Sequence, residues 1–329
     1  MKNRGSRKLV HRCQLIEDEL VQVEQHLQQI VEAAGPEIVE VGSYVFNGSG
    51  KRMRPTLFLL AAYQPQGQLN PFINAATAME LMHTASLLHD DVIDQAETRR
   101  GKATVPLRWN NKISVLTGDY LLSQSFKLLV SYHHWPLMDI MVEVIQNMAE
   151  GEIEQAFINN DSNALEERYF QWIGKKSASF FAGCCRSGSM MKGSDPAEQA
   201  TWSEFGYNLG MAFQLIDDLL DYTGKGELTG KPVYGDLNNR VLTLPLIRTI
   251  RHTRQHGTIN SLFKDGSSDS QFSEVVQAVF DSDGPDYTYR KAQEYIELAN
   301  SSINMLQEVD EIIKNELRNL TQSLLKQTF

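Results

Sequence analysis

Apolar residues recur at helical spacing along most of the chain. Between 12 and 33, Leu15, Ile16, Leu20, Val21, Val23, Leu27, Ile30 and Val31 fall close to the α-helical period, with Glu and Gln between them. Residues 71–94 are rich in Ala, Met and Leu, with no Gly or Pro after Pro71. The same pattern predicts helices over 113–131, 137–158, 164–191, 196–222, 240–255, 286–300 and 303–326. Ser194-Asp195 before Pro196 is a helix start. Alternating β-branched runs are absent, so no sheet is expected. Gly224, Gly226, Gly230, Pro232 and Gly235 mark 223–239 as a mobile loop, and a polar stretch interrupts the pattern over Asp265–Gln271. Neither break is long enough for a domain linker. The expectation is one all-α domain over 1–329, of ten or more helices, with an N-terminal helix within 1–35.

Composition narrows the function. The chain has 329 residues, 42% hydrophobic, with 31 Lys and Arg against 41 Asp and Glu, a formal charge of −10. That balance argues against a general nucleic-acid or anionic-membrane binder, which needs a dominant positive field. Cys13, Cys184 and Cys185 are too few for a disulfide framework, and the adjacent pair suits neither a bridge nor zinc. The N-terminus has no apolar stretch after its basic residues, and no window is apolar for the length of a membrane span. The expected location is cytoplasmic.

The chemistry lies in a repeated motif. LLHDDVID (87–94) and QLIDDLLD (214–221) share an apolar lead-in followed by Asp-Asp-x-x-Asp. Asp90 and Asp94 share a helix face, where like charges repel and burial without counter-charge is costly. A single such motif is ordinarily a solvated acidic face. Two of them inside apolar runs describe a hard-cation site, and all-oxygen ligation suits Mg²⁺ bridging to phosphate. Cations accompany them: Lys51 and Arg54 beside a Gly-rich turn, Arg99-Arg100, Lys175-Lys176 and Lys231, with His83 two turns before Asp90. Each is weak alone. Together they describe a pocket for two oligophosphate groups, one held through metal and one directly by Arg and Lys.

At this point the chain resembles the trans-isoprenyl diphosphate synthase family. The resemblance rests on GSGKRMRP (48–55), HDDVIDQAETRRG (89–101), the Gly-Glu of MAEGEIEQ (148–155), GKKSASFF (174–181), FQLIDDLLDY (213–222), GKPVYGDL (230–237) and LTLPLI (242–247). It covers about residues 40 to 250. It implies an isoprenoid synthase-type helical bundle around a central cavity, usually a homodimer. The implied reaction is Mg²⁺-dependent head-to-tail condensation of isopentenyl diphosphate onto an allylic diphosphate, farnesyl or geranylgeranyl, by ionisation, condensation and elimination. Three Mg²⁺ ions would accompany the bound diphosphate. By the same resemblance Asp90, Asp94, Asp217 and Asp221 would hold metal, and Arg99, Lys176 and Lys231 would contact the allylic diphosphate. Lys51, Arg54, His83 and Arg100 would cradle isopentenyl diphosphate, while Ser177 and Gln214 would lie beside the reacting carbons. Three positions depart from the commoner pattern: Ser177 for Thr, Tyr234 where Gly is common, and a C-terminus, LLKQTF, without a basic tail.

Product length depends on what blocks the space beneath the first cluster. Short-chain members commonly place an aromatic residue four or five positions before the first Asp, and here those positions are Ser86 and Ala85. The face continues through Leu81, Ala78 and Asn74, of which only Leu81 is bulky, while Met79 and Met82 lie on a neighbouring stripe. Small residues also permit close helix packing. The functional expectation is a product longer than C15, of the kind attached to quinones. The alternatives are a geranylgeranyl diphosphate synthase or the catalytic subunit of a two-component synthase. A degenerate regulatory subunit would have lost aspartates, and a terpene cyclase would not need Lys51, Arg54 and Arg100.

Overall fold

The computed structural model describes residues 13–47, 50–65, 67–157, 165–223, 234–252 and 269–326. The helices are α1 (Glu17–Glu32), α2 (Pro36–Phe46), α3 (Met53–Ala62), α4 (Ile73–Ile93), α5 (Val105–Arg108), α6 (Asn111–Val130), α7 (Trp135–Ala156) and α8 (Leu165–Ile173). They continue with α9 (Ser179–Met191), α10 (Pro196–Thr223), α11 (Gly235–Asn238), α12 (Leu244–His252), α13 (Asp269–Asp281), α14 (Gly284–Met305) and α15 (Glu311–Leu325). The described residues bear out the all-α expectation. Among them no helix is long and apolar enough to cross a membrane.

Local chemistry sets the boundaries. Prolines sit in the first turns of α2, α5, α7 and α14, where their missing N–H costs nothing. Asn110 Oδ1 accepts the Ile113 N–H at 3.0 Å to start α6, and Asp195 Oδ1 accepts the Glu198 N–H at 2.8 Å to start α10. The core is aliphatic and aromatic. Leu57, Phe58, Leu59 and Leu60 of α3 pack on α4 and α9, and Trp202, Phe205 and Leu209 anchor α10 between α9 and α14. α4 in turn packs on α6 and α1. The two helices that carry the acidic motifs, α4 and α10, are thus linked through α3 and α9.

The structure differs from the sequence expectation in three places. Thr98–Arg99 and Lys102–Ala103 pair as a short antiparallel ladder where no sheet was expected. Its turn, Arg100-Gly101, has φ of +54° and +74°, the positive pair that a type I′ hairpin turn requires. Two-residue strands leave no alternation to read. The helix expected over 164–191 is interrupted by a π-helical turn, Gly174–Ala178. And 234–238, expected within a mobile loop, is the short helix α11, entered through Tyr234 at φ +64°. The rest of that loop, 224–233, lies outside the described residues. Cys13, Cys184 and Cys185 are buried and free, as their spacing implied.

Candidate functional site: two acidic helix ends and a cationic turn

Both acidic clusters close a long helix. Asp90 and Asp91 lie in the last turn of α4 with Asp94 at its cap, and Asp217, Asp218 and Asp221 occupy the last two turns of α10. A helix carboxyl end carries partial negative charge and favours Lys or Arg. Neither helix has a basic residue there. Six carboxylates at two negative helix ends require cations from elsewhere.

The first cluster draws them from two sides. Arg99 Nε donates to Asp91 Oδ1 at 2.6 Å, from the hairpin. Lys176 faces it from the π turn, where its Nζ lies 2.5 Å from Glu152 Oε2 and donates to Gln155 Oε1 at 3.0 Å. Burial opposes the Lys176 charge, but Glu152 and Asp90 hold its pKa above the ordinary lysine value. Asp90 is pushed up to about 6, chiefly by burial; Lys176 and Arg99 pull it down, while Glu152 and Asp94 push it further up.

The second cluster is locked by neutral donors. Asp218 Oδ2 accepts the Tyr169 hydroxyl at 2.6 Å, and Oδ1 accepts Gln214 Nε2 at 2.7 Å. Burial, then the negative charge of Asp236, pushes Asp218 up to about 8. With its NH₂ on Asp218, Gln214 turns its Oε1 the other way, where it accepts the Ser177 hydroxyl at 2.7 Å. A hydroxyl that has given its proton to Gln214 offers only lone pairs elsewhere.

Lys176 and Ser177 therefore tie the two clusters together through consecutive residues. The π turn makes this possible, and such turns recur at functional sites. Gly151 lets α7 approach it: a Cβ there would lie 2.6 Å from Lys176 N and 2.9 Å from Trp172 O.

The third component is the cationic turn before α3. The Arg54 guanidinium stacks on Phe180 at 4.8 Å and Phe181 at 5.1 Å, and the Lys51 ammonium lies 5.7 Å from the Phe213 ring centre. Arg54 Nε and His83 Nδ1 are buried with no hydrogen-bond partner. Burial pushes the His83 pKa well down, reinforced by Arg54 and Arg100, so its imidazole is neutral. Two orphaned nitrogens among arginines are what an anion would satisfy. Beside them a cavity of about 230 Å³ opens between α2, α4 and the hairpin, with Arg52, Arg99, Arg100 and Asp91 in its wall.

The structure thus brings together Asp90, Asp94, Arg99 and Lys176, then Ser177 and Gln214, then Arg54, His83 and Arg100. Asp221 also accepts backbone donors from the start of α11. Its Oδ1 accepts the Gly235 N–H at 2.9 Å and its Oδ2 the Asp236 N–H at 3.1 Å, so both oxygens hold the start of α11. Lys231 lies outside the described residues. Sequence reasoning gave no role to Glu152, Tyr169 or Asp218. Glu152 stood in the quoted Gly-Glu, but its pairing with Lys176 depends on the π turn. Tyr169 had no signal beyond an aromatic on a helix.

Among the described residues no three His, Cys, Asp or Glu side chains converge into a metal cage of their own. Mg²⁺ is commonly held by one or two carboxylates plus substrate phosphates, and all-oxygen Asp pairs at negative helix ends suit it.

Residues 36–279 match the family model described as Polyprenyl synthetase. The chain is 35% identical over 271 residues to the octaprenyl diphosphate synthase of Escherichia coli (strain K12), covering 82% of this chain and 84% of that one. It is 31% identical over 291 residues to heptaprenyl diphosphate synthase component 2 of Bacillus subtilis (strain 168), covering 88% and 83%. Its fold matches a polyprenyl synthase from Caulobacter crescentus CB15, complexed with calcium and isoprenyl diphosphate. That match has a TM-score of 0.90 at 28% identity and covers 100% of both chains.

Two expected outcomes follow from the local geometry. Folding holds Asp90 above its unfolded pKa of 3.8, at about 6, so the folded state keeps a proton that the unfolded state has lost. Its contribution to metal-free stability therefore falls as pH rises from about 4 to about 6 and stays low above that. Asp90→Asn should stabilise the metal-free protein at pH 7.5 by on the order of 2 kcal/mol, with no gain below pH 4, in denaturant titrations. An equal effect at both pH values would contradict the burial of Asp90. Gly151→Ala should separate α7 from the π turn and cost about 1–3 kcal/mol, read as a lower thermal midpoint.

Proposed function

We propose that this chain, which belongs to the polyprenyl synthetase family, condenses isopentenyl diphosphate onto an allylic diphosphate to make an all-trans product longer than C15. The observation that carries the reading is the pairing of two acidic helix ends with a separate cationic turn that holds orphaned Arg54 and His83 nitrogens. A metal-held diphosphate and a directly held one need different surfaces, and the site has both. The similarity to octaprenyl and heptaprenyl synthases supports the long product.

In this reading Asp90, Asp94, Asp217 and Asp221 would hold Mg²⁺, which would supply the positive charge that makes diphosphate a competent leaving group. Arg99 and Lys176 bind the same allylic diphosphate and stabilise the charge it gains on departure. The Ser177 lone pairs, the Gln214 Oε1 and the Lys176 carbonyl face the allylic cation. Lys51, Arg54, His83 and Arg100 hold isopentenyl diphosphate with its double bond toward that cation. The departing diphosphate is the base for the final proton, so no side-chain base is needed. Lys231 would add a contact to the allylic diphosphate, and the segment that carries it would exclude water.

The chain-length stripe Ala85, Leu81 and Ala78 is buried, and below it Asn74 is hydrogen bonded to His26 of α1 at 3.1 Å. We assign this stripe to the wall of the growing chain, with Ser86 at its rim.

The reading includes assembly with a second copy, supported by an apolar face. Trp135 and Phe157 are each 75% exposed at the two ends of α7, with Val142 and Ile153 exposed between them and Leu116 and Val130 exposed on α6. A patch of this kind marks a protein interface, here with a second copy. The similarity to a protein named as component 2 supports a different second subunit as the other reading.

Labelled isopentenyl diphosphate, farnesyl diphosphate and Mg²⁺ should yield dephosphorylated products longer than C15 on chromatography. No elongation by the chain alone would favour the two-subunit reading. Ala85→Phe should shift the ladder to shorter products, and an unchanged ladder would reject the stripe as the wall. Val142→Glu should convert a dimer to a monomer in sedimentation, and an unchanged mass would reject this face.

A further inference from the structure

The cationic turn is held by a network that the roles above do not use. Arg52, between Lys51 and Arg54, has a left-handed backbone at φ +50° and a side chain only 10% exposed. Its Nη1 donates to Glu80 Oε1 at 2.6 Å. Its other edge, Nε and Nη2, grips the carboxylate of Glu24, the Nη2 bond being 2.9 Å. Glu24 belongs to α1 and is half exposed. Glu80 belongs to α4, three residues before His83, and is 2% exposed. Gly50 fits between two of these groups: a Cβ there would lie 2.5 Å from Arg52 Nη1 and 3.2 Å from Arg100 Nη1.

Glu80 is felt by two arginines. It pairs with Arg52, and its charge also reaches Arg54. Yet Arg54 rests on two aromatic rings with its Nε unpartnered. A buried carboxylate does not stay unpaired. If Arg52 let go, Arg54 would be drawn to Glu80 and its charge spent inside the protein.

We propose that Arg52 is a positioning residue for isopentenyl diphosphate: by engaging Glu80, with Glu24 fixing its far edge, it keeps the Arg54 guanidinium available for the diphosphate. The N-terminal helix thereby becomes part of the site. The inference rests on the assignment of Lys51, Arg54, His83 and Arg100 to that substrate.

The test is steady-state kinetics on the full chain, well below its unfolding temperature. Isopentenyl diphosphate is varied at saturating farnesyl diphosphate, and then the reverse. Arg52→Met should raise the KM for isopentenyl diphosphate about tenfold, with the KM for farnesyl diphosphate unchanged. Adding Glu80→Gln removes the competitor, so the double variant should recover to within about threefold of the parent. Glu24→Gln, at a half-exposed position, should give a smaller rise in the same KM. A loss of stability alone lowers the active fraction and the apparent kcat without moving one KM selectively. A double variant as poor as Arg52→Met overturns the proposal, because Arg52 would then serve the substrate directly. Equal rises in both KM values, or a change in kcat alone, overturn it in favour of a role in folding. Arg54→Gln is the separate check on the premise: an unchanged KM for isopentenyl diphosphate there would remove the site assignment and this proposal with it.

Discussion

Two long helices end in aspartates where their own dipoles favour cations. The rest of the site answers that inversion. A negative potential built from three carboxylates and a helix end cannot persist inside an apolar bundle unless positive charge is brought to it. α4 receives Arg99 from the hairpin and Lys176 from the π turn. α10 is steadied by neutral donors, Tyr169 and Gln214, which hold Asp218 in place. The fold is thus built around a charge imbalance that substrate and metal complete.

The same logic extends to two glutamates beside the site. Glu152 sits against Lys176, and Glu80 against Arg52. Each pairs with a cation in or beside the site and fixes where that cation sits. The site is a mosaic in which cations and carboxylates alternate, and the formal charge of −10 over the whole chain says nothing of it.

The acidic motifs were legible because a repeated Asp-Asp-x-x-Asp inside apolar helices has no cheap structural explanation. The long helices were legible too, through their period and through starts such as Asp195-Pro196. Less so was anything that depends on a single turn. α3 carries no polar stripe between its apolar residues, α2 has one, Glu37, Glu40 and Ser43, only three residues long, and α13 begins inside a stretch that composition marked as a break. The hairpin at 98–103 is too short for a period of two. The π turn adds a residue to a helix without changing which residue types it uses, so 174–178 reads as ordinary helix. Asp218 and Asp221 show the limit within the motif itself. Spacing ranks Asp221 with Asp217, and no pattern in α10 announces the α11 backbone N–H groups that both its oxygens accept.

Arg52 and Arg100 share a feature with a longer reach. Both hold positive φ, at +50° and +54°, where glycine or asparagine would rest without strain. Glycine there would relieve the backbone, but each replacement would remove a guanidinium from the site, and at Arg52 it would also leave buried Glu80 without its partner. At these two positions backbone ease is given up for the charge the site needs. The two strained arginines are a fixed conformational cost that the fold carries to keep positive charge at the site.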